Sequence, residues 1–446
     1  MTEKEKKLTQ SEHESKRIRL MAGALFLIGA LTRLAFLAWR GPTIAPDSNV
    51  YLGLARNLLQ HATFSQDAVA PLSPSVRWAP LYPAFIAALS WTGNPSPLAI
   101  ATTQSVLGAV TVVMLLFLAR TVLPLKWALA VGLVYALHPG PIYSASTILT
   151  ETLFTALLVG SVLSLSFGLK RNSLWLTALS GILMGLAILS RPIALPLPLI
   201  LFAVILPMRS LRRRVLHGLL FSGMALLLLI PWSIRSSYIA GKFVLVQDSS
   251  VVGQLFYTAT RWDWDQKDQS TLWPKLEEES RKLAAAEAER SVKANESHET
   301  IHVDQVLFRD GIRNVLANPG QYVVSRARQF PYLFITSYDS FTGIENTWGT
   351  LWARRDLLRL SVKFVMLVLF SLVPFLLALL GLITIREHLT SALCAAVWLF
   401  VLVFHIPLWV EPRYWLHAIP FLLISAALGA EVLWRVVQKR RSGIVA

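Results

Sequence analysis

Apolar runs long enough to cross a membrane recur along this chain. They cover residues 20–39, 98–119, 125–142, 150–169, 174–189, 192–208, 215–232, 360–385, 389–410 and 414–437. A spanning helix needs about 20 apolar residues, with a range of roughly 17–25. Hydrocarbon offers the backbone no hydrogen-bond partner, so each run must satisfy its own N–H and C=O groups as a helix. Only 15% of the residues are charged, against about 25% in a soluble globular chain. The expected fold is therefore an all-α polytopic membrane protein with about ten transmembrane helices. One further run, residues 81–91, is too short to cross and is broken at its start by Pro80 and Pro83. It is expected to lie along the interface, within the first outer loop.

The formal net charge of +16 would point to nucleic acid in a soluble protein. Here the basic residues sit in short clusters between apolar runs, the pattern of topology signals, and no RNA- or DNA-binding module is seen. If residues 81–91 do not cross, the clusters Arg120/Lys126, Lys170/Arg171, Arg209/Arg212/Arg213/Arg214, Arg386 and Lys439/Arg440/Arg441 all fall on the side of the amino terminus. That obeys the positive-inside rule, whereas one extra crossing would reverse the later clusters. No A-x-A site closes run 20–39, so it reads as a retained helix whose amino end is cytoplasmic. The chain then divides into a cytoplasmic tail (1–19), a transmembrane module with an outer loop at 40–97 (20–235), an extracytoplasmic region (236–358), C-terminal transmembrane helices (359–437) and a second tail (438–446). Residues 274–315 have helical composition, and Asn318-Pro319-Gly320 should interrupt it. The single cysteine, Cys394, lies in an apolar run and permits no intrachain disulfide.

On this topology Asp47, Glu151, Arg191, Arg235, Glu411 and Arg413 all fall at outer ends of spans, and Arg33 lies a little below that level. Ionisable residues at membrane depth are candidates for function. Each also has a plainer reading: Asp47 as the cap of a short amphipathic helix, Glu151 as a dipole complement, Arg191 and Arg235 as interface anchors. Outer arginines oppose the positive-inside bias, and residues of both signs share one depth, which favours a common site. Transporters usually place broken helices and charges near the midplane. Here the midplanes are nearly free of charge, so a transporter or a flippase for lipid-linked sugars is the alternative reading.

The string Ala45-Pro46-Asp47-Ser48-Asn49-Val50-Tyr51, followed by Trp78-Ala79-Pro80-Leu81-Tyr82-Pro83, resembles the GT-C glycosyltransferases. That superfamily includes the protein O-mannosyltransferases and the lipid A aminoarabinose transferase. Further matches follow in order: His138-Pro139 through Tyr143, Thr150-Glu151-Thr152, Ser190-Arg191-Pro192, Pro231-Trp232-Ser233-Ile234-Arg235 and Glu411-Pro412-Arg413-Tyr414. The resemblance implies a multi-pass protein, of the bacterial cytoplasmic (inner) membrane, with its site facing the periplasm or exterior. It implies a polyprenyl-phosphate sugar donor, a protein, lipid or glycan acceptor, and an essential acid at Asp47. Many members carry a second acid directly after the first. Here that position is Ser48. Members often carry a basic residue just before the Pro-Leu-Tyr-Pro-like stretch, and here Arg77 is set back from Pro80 by Trp78 and Ala79.

Transfer from a polyprenyl phosphate releases a phosphate anion, which needs positive charge more than a strong acid. Arginine suits it through bidentate hydrogen bonds. Arg191, Arg235, Arg413, Arg33 and Arg77 are the candidates. The acceptor hydroxyl needs a base, for which Asp47 is the first candidate and Glu151 the second. Attack opposite the leaving group would invert the anomeric centre. Tyr51, Tyr82, His138, Tyr143, Glu411 and Tyr414 are expected to line the substrate site. No Walker A string and no helix-opening G-x-G-x-x-G is present. No cofactor is called for, and Asp263-Trp264-Asp265 is only weak grounds for a metal.

Overall fold

The computed structural model describes residues 3–90, 93–207, 211–248, 251–264, 269–293, 303–331, 333, 341–343, 348–386 and 388–441. Arg209, Asp265 and Trp91 fall outside them. The described chain is a multi-pass all-α membrane protein. Six helices are long and apolar enough to cross a bilayer: Glu14–Arg40, Pro97–Arg120, Glu151–Arg171, Arg212–Ala240, Leu357–Ile385 and Ile419–Arg441. Four shorter apolar stretches accompany them, at Leu125–Leu137, Leu174–Ser190, Pro192–Ile205 and Leu389–His405.

In chain order the helices are α1 (Glu3–Arg40), α2 (Pro46–His61), α3 (Leu81–Leu89), α4 (Pro97–Arg120), α5 (Leu125–Leu137), α6 (Pro139–Ser146), α7 (Glu151–Arg171), α8 (Leu174–Ser190), α9 (Leu197–Ile205) and α10 (Leu211–Ala240). There follow α11 (Val251–Ala259), α12 (Gln269–Lys293), α13 (Val303–Ala317) and α14 (Pro319–Gln329), then α15 (Trp348–Ala353), α16 (Leu357–Leu367), α17 (Val373–Gly381), α18 (Leu389–His405) and α19 (Ile419–Arg441). Helix α1 packs on α4 and α5, α4 on α7, α7 on α8 and α8 on α10. Helix α17 packs on α19. There Gly381 and Gly429 let the two backbones approach, since a Cβ on either would strike a main-chain carbonyl of the other helix. Trp398 donates its indole N–H to Ser425 at 3.0 Å inside the same layer, satisfying a polar group that lipid could not.

Two runs are broken near one end where their apolar composition is continuous. Run 125–142 breaks at His138, where Pro139 cannot donate to the helix already formed and instead opens α6 at its first turn. Run 414–437 begins as a 3-10 turn, Pro412–Trp415, and becomes a helix only at Ile419. Both breaks face the same end of the bundle as α2 and α3. Helix α3 has nine residues, about 13 Å of rise, and cannot cross.

The opposite end gathers the basic clusters. Arg120 lies 3.9 Å from Glu14, Lys126 stands 5.1 Å over the Trp434 ring, and His217 bonds to Asn172 at 3.2 Å. Residues from α1, α4, α5, the turn after α7, α10 and α19 thus share one level. The region between α10 and α16 forms a helical cap: Tyr322 donates to the Pro407 carbonyl at 2.8 Å, and Arg326 to those of Leu408 and Ala259 at 2.7 and 2.9 Å. Asn318 stands between α13 and α14, where Pro319 starts the second helix.

Candidate functional site

Asp47 is held by the start of α2. The helix begins at Pro46, with Ala45 as its cap residue, so Asp47 lies inside the first turn and is not the cap. Ser48 takes the local bonds instead. Its hydroxyl accepts from the Ala45 N–H at 2.9 Å and donates to the Ile148 carbonyl at 2.8 Å. Thr43 and residues 146–148 add two main-chain bonds, Thr43 N–H to Ser146 C=O at 2.8 Å and Ile148 N–H to Thr43 C=O at 3.0 Å. These contacts fasten the start of α2 to the chain just before α7, whose first residue is Glu151. Ser48 is thus a fastener between the two acidic positions.

The carboxylate of Asp47 accepts from Arg413 Nη1 at 2.9 Å, across 366 residues of sequence. The same guanidinium pairs with Glu411. Beside them Glu151 accepts from Arg191 Nη1 at 2.8 Å, and that nitrogen also reaches Thr150 Oγ1 at 3.2 Å. Four segments far apart in sequence therefore contribute alternating charges to one cluster. Tyr51 joins the two pairs: burial pushes its phenol well up, the Asp47 carboxylate adds to that, and Arg191, Glu151 and Arg413 all act on it. It remains a protonated donor. Burial also pushes the Glu411 carboxyl up, against the pull of Arg413.

Aromatic rings wall the cluster. The Arg191 guanidinium lies 5.9 Å from the Tyr414 ring and 6.0 Å from Phe154, and Arg413 lies 5.5 Å from Tyr414. Two histidines, not singled out in the sequence, complete this wall. His405 stacks on Tyr414 at 5.1 Å, and its Nδ1 is 2.7 Å from the Val401 carbonyl. His417 meets Phe154 edge-on at 4.9 Å, is fully buried, and bonds through neither ring nitrogen among the described residues. The available clue was a histidine on each side of Glu411-Pro412-Arg413-Tyr414, in otherwise apolar sequence.

Other expected site residues stand elsewhere. Arg235 donates to the Ser75 carbonyl at 3.1 Å and stacks over Trp232 at 4.4 Å, with Phe64 at 5.5 Å. It pins the outer loop. Arg77 is exposed on that loop. Tyr82 is fully buried and donates to Gln104 at 2.7 Å, whose amide in turn bonds to the Ala145 and Thr147 carbonyls. His138 caps α6 by accepting from Gly140 N–H at 3.2 Å. Tyr143 packs edge-on to Phe36. Tyr82 thus ties the backbone around the cluster to α4 while its ring meets Tyr51 edge-on at 5.0 Å, and His138 holds the start of α6. Arg33 turns into the bundle and donates to the Gly29 and Ala136 carbonyls at 3.0 and 3.3 Å. Asp263 is gripped by Arg261 through both oxygens, at 2.9 and 2.8 Å.

Residues 77–234 match the family model of the dolichyl-phosphate-mannose-protein mannosyltransferases. No curated protein matches the chain in sequence. Among solved structures, the oligosaccharyltransferase of Archaeoglobus fulgidus, in complex with zinc and sulfate, superposes over 94% of this chain and 50% of its own, with TM-score 0.54 and 13% identity. The same enzyme, AglB, with an inhibitory peptide and a dolichol-phosphate, gives TM-score 0.51, 13% identity, and coverage of 94% of this chain and 51% of that one. ArnT from Cupriavidus metallidurans in the apo state gives TM-score 0.42 at 12% identity, over 95% of this chain and 78% of its own. The chain spans about half the length of the oligosaccharyltransferase whose fold it shares.

Proposed function

We propose that this protein is a glycosyltransferase that moves a sugar from a polyprenyl-phosphate donor to an acceptor hydroxyl, with inversion, at the extracytoplasmic face of a bacterial cytoplasmic membrane. The observation that carries the reading is the paired cluster Asp47–Arg413 and Glu151–Arg191, assembled at one end of a transmembrane bundle. Its support is the family match across residues 77–234 and a fold shared with an enzyme solved with a dolichol-phosphate.

In this reading Arg413 and Arg191 face the donor phosphate. As the glycosidic C–O bond breaks, negative charge grows on the phosphate oxygens, and fixed guanidinium groups stabilise it without reorganising. Asp47 takes the proton of the acceptor hydroxyl as that oxygen attacks the anomeric carbon from the opposite face. A phosphate on Arg413 competes for the donors that hold Asp47, so donor binding frees the base. Tyr51 and Tyr414 offer hydroxyls and ring faces to the sugar. Protein, lipid and glycan acceptors all present a suitable hydroxyl.

The oligosaccharyltransferase was solved with zinc, but the donor set here does not fit a divalent cation. No three His, Cys, Asp or Glu side chains converge among the described residues, and both Asp47 and Glu151 are already matched to arginine.

The test is transfer by the purified protein from a synthetic polyprenyl-phosphate sugar, with the anomeric configuration of the product read by NMR. A product of retained configuration would overturn single-displacement attack. No transfer to any acceptor class, together with transport of the intact donor across vesicles, would overturn the transferase reading. Labelling of a cysteine at position 269 from the cytoplasmic side would overturn the orientation.

A further inference from the structure

Arg33 is 1% exposed in the middle of the bundle, and it pairs with no carboxylate among the described residues. Only its Nη1 is bonded to protein, to two carbonyls. Nε and Nη2 have no partner among the described residues. The fold makes room for this side chain: a Cβ at Gly108 of α4 would stand 2.5 Å from Arg33 Nε. One flank of the guanidinium lies near the Tyr135 ring, at 5.7 Å. Beyond it is a small cavity of about 10 Å³, lined by Arg33, Thr111, Tyr135, Ser144, Thr152 and Thr155 among others.

A guanidinium keeps its proton at any pH a protein survives, so it cannot escape burial by neutralising. A buried charge without a counter-charge is strongly disfavoured. The cavity wall offers hydroxyls and no carboxylate. Ser144 and Thr152 bond to each other at 3.2 Å, which uses one hydroxyl hydrogen and leaves the other free to turn inward. Two guanidinium nitrogens with three N–H groups, the Thr155 hydroxyl and the spare hydrogen of the Ser144–Thr152 pair therefore line one cavity where nothing supplies negative charge; Thr111 is spent on the Leu107 carbonyl. The volume fits a single sphere about the size of a water molecule, and excludes phosphate, sulfate or any organic acid.

We propose that this cavity is a binding site for one small monovalent anion, chloride under ordinary conditions, held by Arg33 Nε and Nη2 with the hydroxyls of Thr152 and Thr155. The anion is the counter-charge of Arg33 and ties α1 to α7. It is a structural ligand, and the site is separate from the donor phosphate. The proposal does not depend on the transferase reading, because its readout is stability and not transfer.

The experiment melts the full-length protein in nonionic detergent, in sodium gluconate exchanged stepwise for chloride or bromide at constant ionic strength. Tryptophan fluorescence reports unfolding. A ligand that binds only the folded protein raises the melting temperature with its concentration. The expected rise is about 1–3 °C at saturation, smaller than for a short domain because the entropy of unfolding grows with chain length. Arg33→Gln should show none of it. If that variant does not fold, Thr155→Val should raise the half-saturating chloride concentration about tenfold or more, the effect of losing one hydrogen bond to a charged group. A wild-type melting temperature indifferent to chloride would overturn the proposal and leave water in the cavity. So would an equal rise in Arg33→Gln, or an unchanged half-saturation in Thr155→Val, since either would mean a general salt effect.

Discussion

Two acid–arginine pairs of nearly equal length stand side by side in this protein, and their surroundings differ. Glu151 and Arg191 meet at 2.8 Å with side chains 3% and 17% exposed. Asp47 and Arg413 meet at 2.9 Å with side chains 36% and 29% exposed. The same contact has different consequences in the two places. In the sealed pair each charge depends on the other, because removal of one leaves the second in a low dielectric. In the open pair water can replace either partner, so the carboxylate can be released and put to use. Accessibility therefore separates the carboxylate suited to moving protons, Asp47, from the carboxylate suited to holding its arginine in place beside the donor, Glu151.

Asp47→Asn and Glu151→Gln test this directly and give the largest effects. Asp47→Asn should fold, with stability changed by less than about 1 kcal/mol as for an open ion pair. Its turnover should fall roughly 10²–10⁴-fold, the usual contribution of a general base. Glu151→Gln should lower stability by about 3–5 kcal/mol, because Arg191 is left without its counter-charge. Melting curves and single-turnover transfer on both variants distinguish the two. If Glu151→Gln is stable and inactive while Asp47→Asn turns over within a few-fold of wild type, the roles are exchanged and Glu151 is the base.

The arginines sharpen the contrast at smaller scale. Arg413→Lys keeps the charge and loses the fork that reaches Asp47 and Glu411 together. Donor affinity should weaken by about tenfold, as expected for one charge-assisted hydrogen bond of roughly 1.5 kcal/mol. Arg235→Lys should leave donor affinity near wild type, because Arg235 serves the Ser75 carbonyl and the Trp232 ring. Its cost should be about 1 kcal/mol of stability, seen as faster proteolysis in residues 64–76. Equal weakening of donor use in the two variants would return Arg235 to the site.

Sequence carried the layout better than the contacts. Spanning helices were legible because apolar length is a direct demand of hydrocarbon, and the level shared by Asp47, Glu151, Arg191, Glu411 and Arg413 followed from counting along those helices. Which acid meets which arginine was not legible. Asp47 reaches Arg413 where α2 is fastened to residues 146–148 through Ser48 and Thr43, tertiary bonds without periodicity. Depth also says nothing of direction. Arg33 shares nearly the level of the cluster and yet points between α4 and α5, because Gly108 opens space there. Tyr82 and His138 sat in the strings that carried the resemblance, and their hydrogen bonds support the backbone, those of Tyr82 through Gln104. A motif marks residues that must be kept together, whether they touch substrate or hold the chain that does.

The smallest effect extends the comparison to a pair whose acid is the most exposed of the three. Arg261 grips Asp263 in the segment between α11 and α12, with the Asp263 side chain 54% exposed, and its hydrogen bonds hold that carboxyl below the usual range. A carboxylate whose folded pKa is depressed contributes stability that is present above its unfolded value, about 3.9. That stability is lost as pH falls through the lower, folded value. Exposure and salt make the contribution slight. The Trp264 ring lies 4.4 Å under the Arg261 guanidinium, so release of the arginine should change its emission. On acid titration, the difference in tryptophan emission between the wild-type protein and Trp264→Phe should report a transition below pH 4 that disappears in Asp263→Asn, while the global melting temperature at pH 7 differs little between wild type and Asp263→Asn. A transition at or above the ordinary carboxylate value would mean that the grip of Arg261 stabilises nothing.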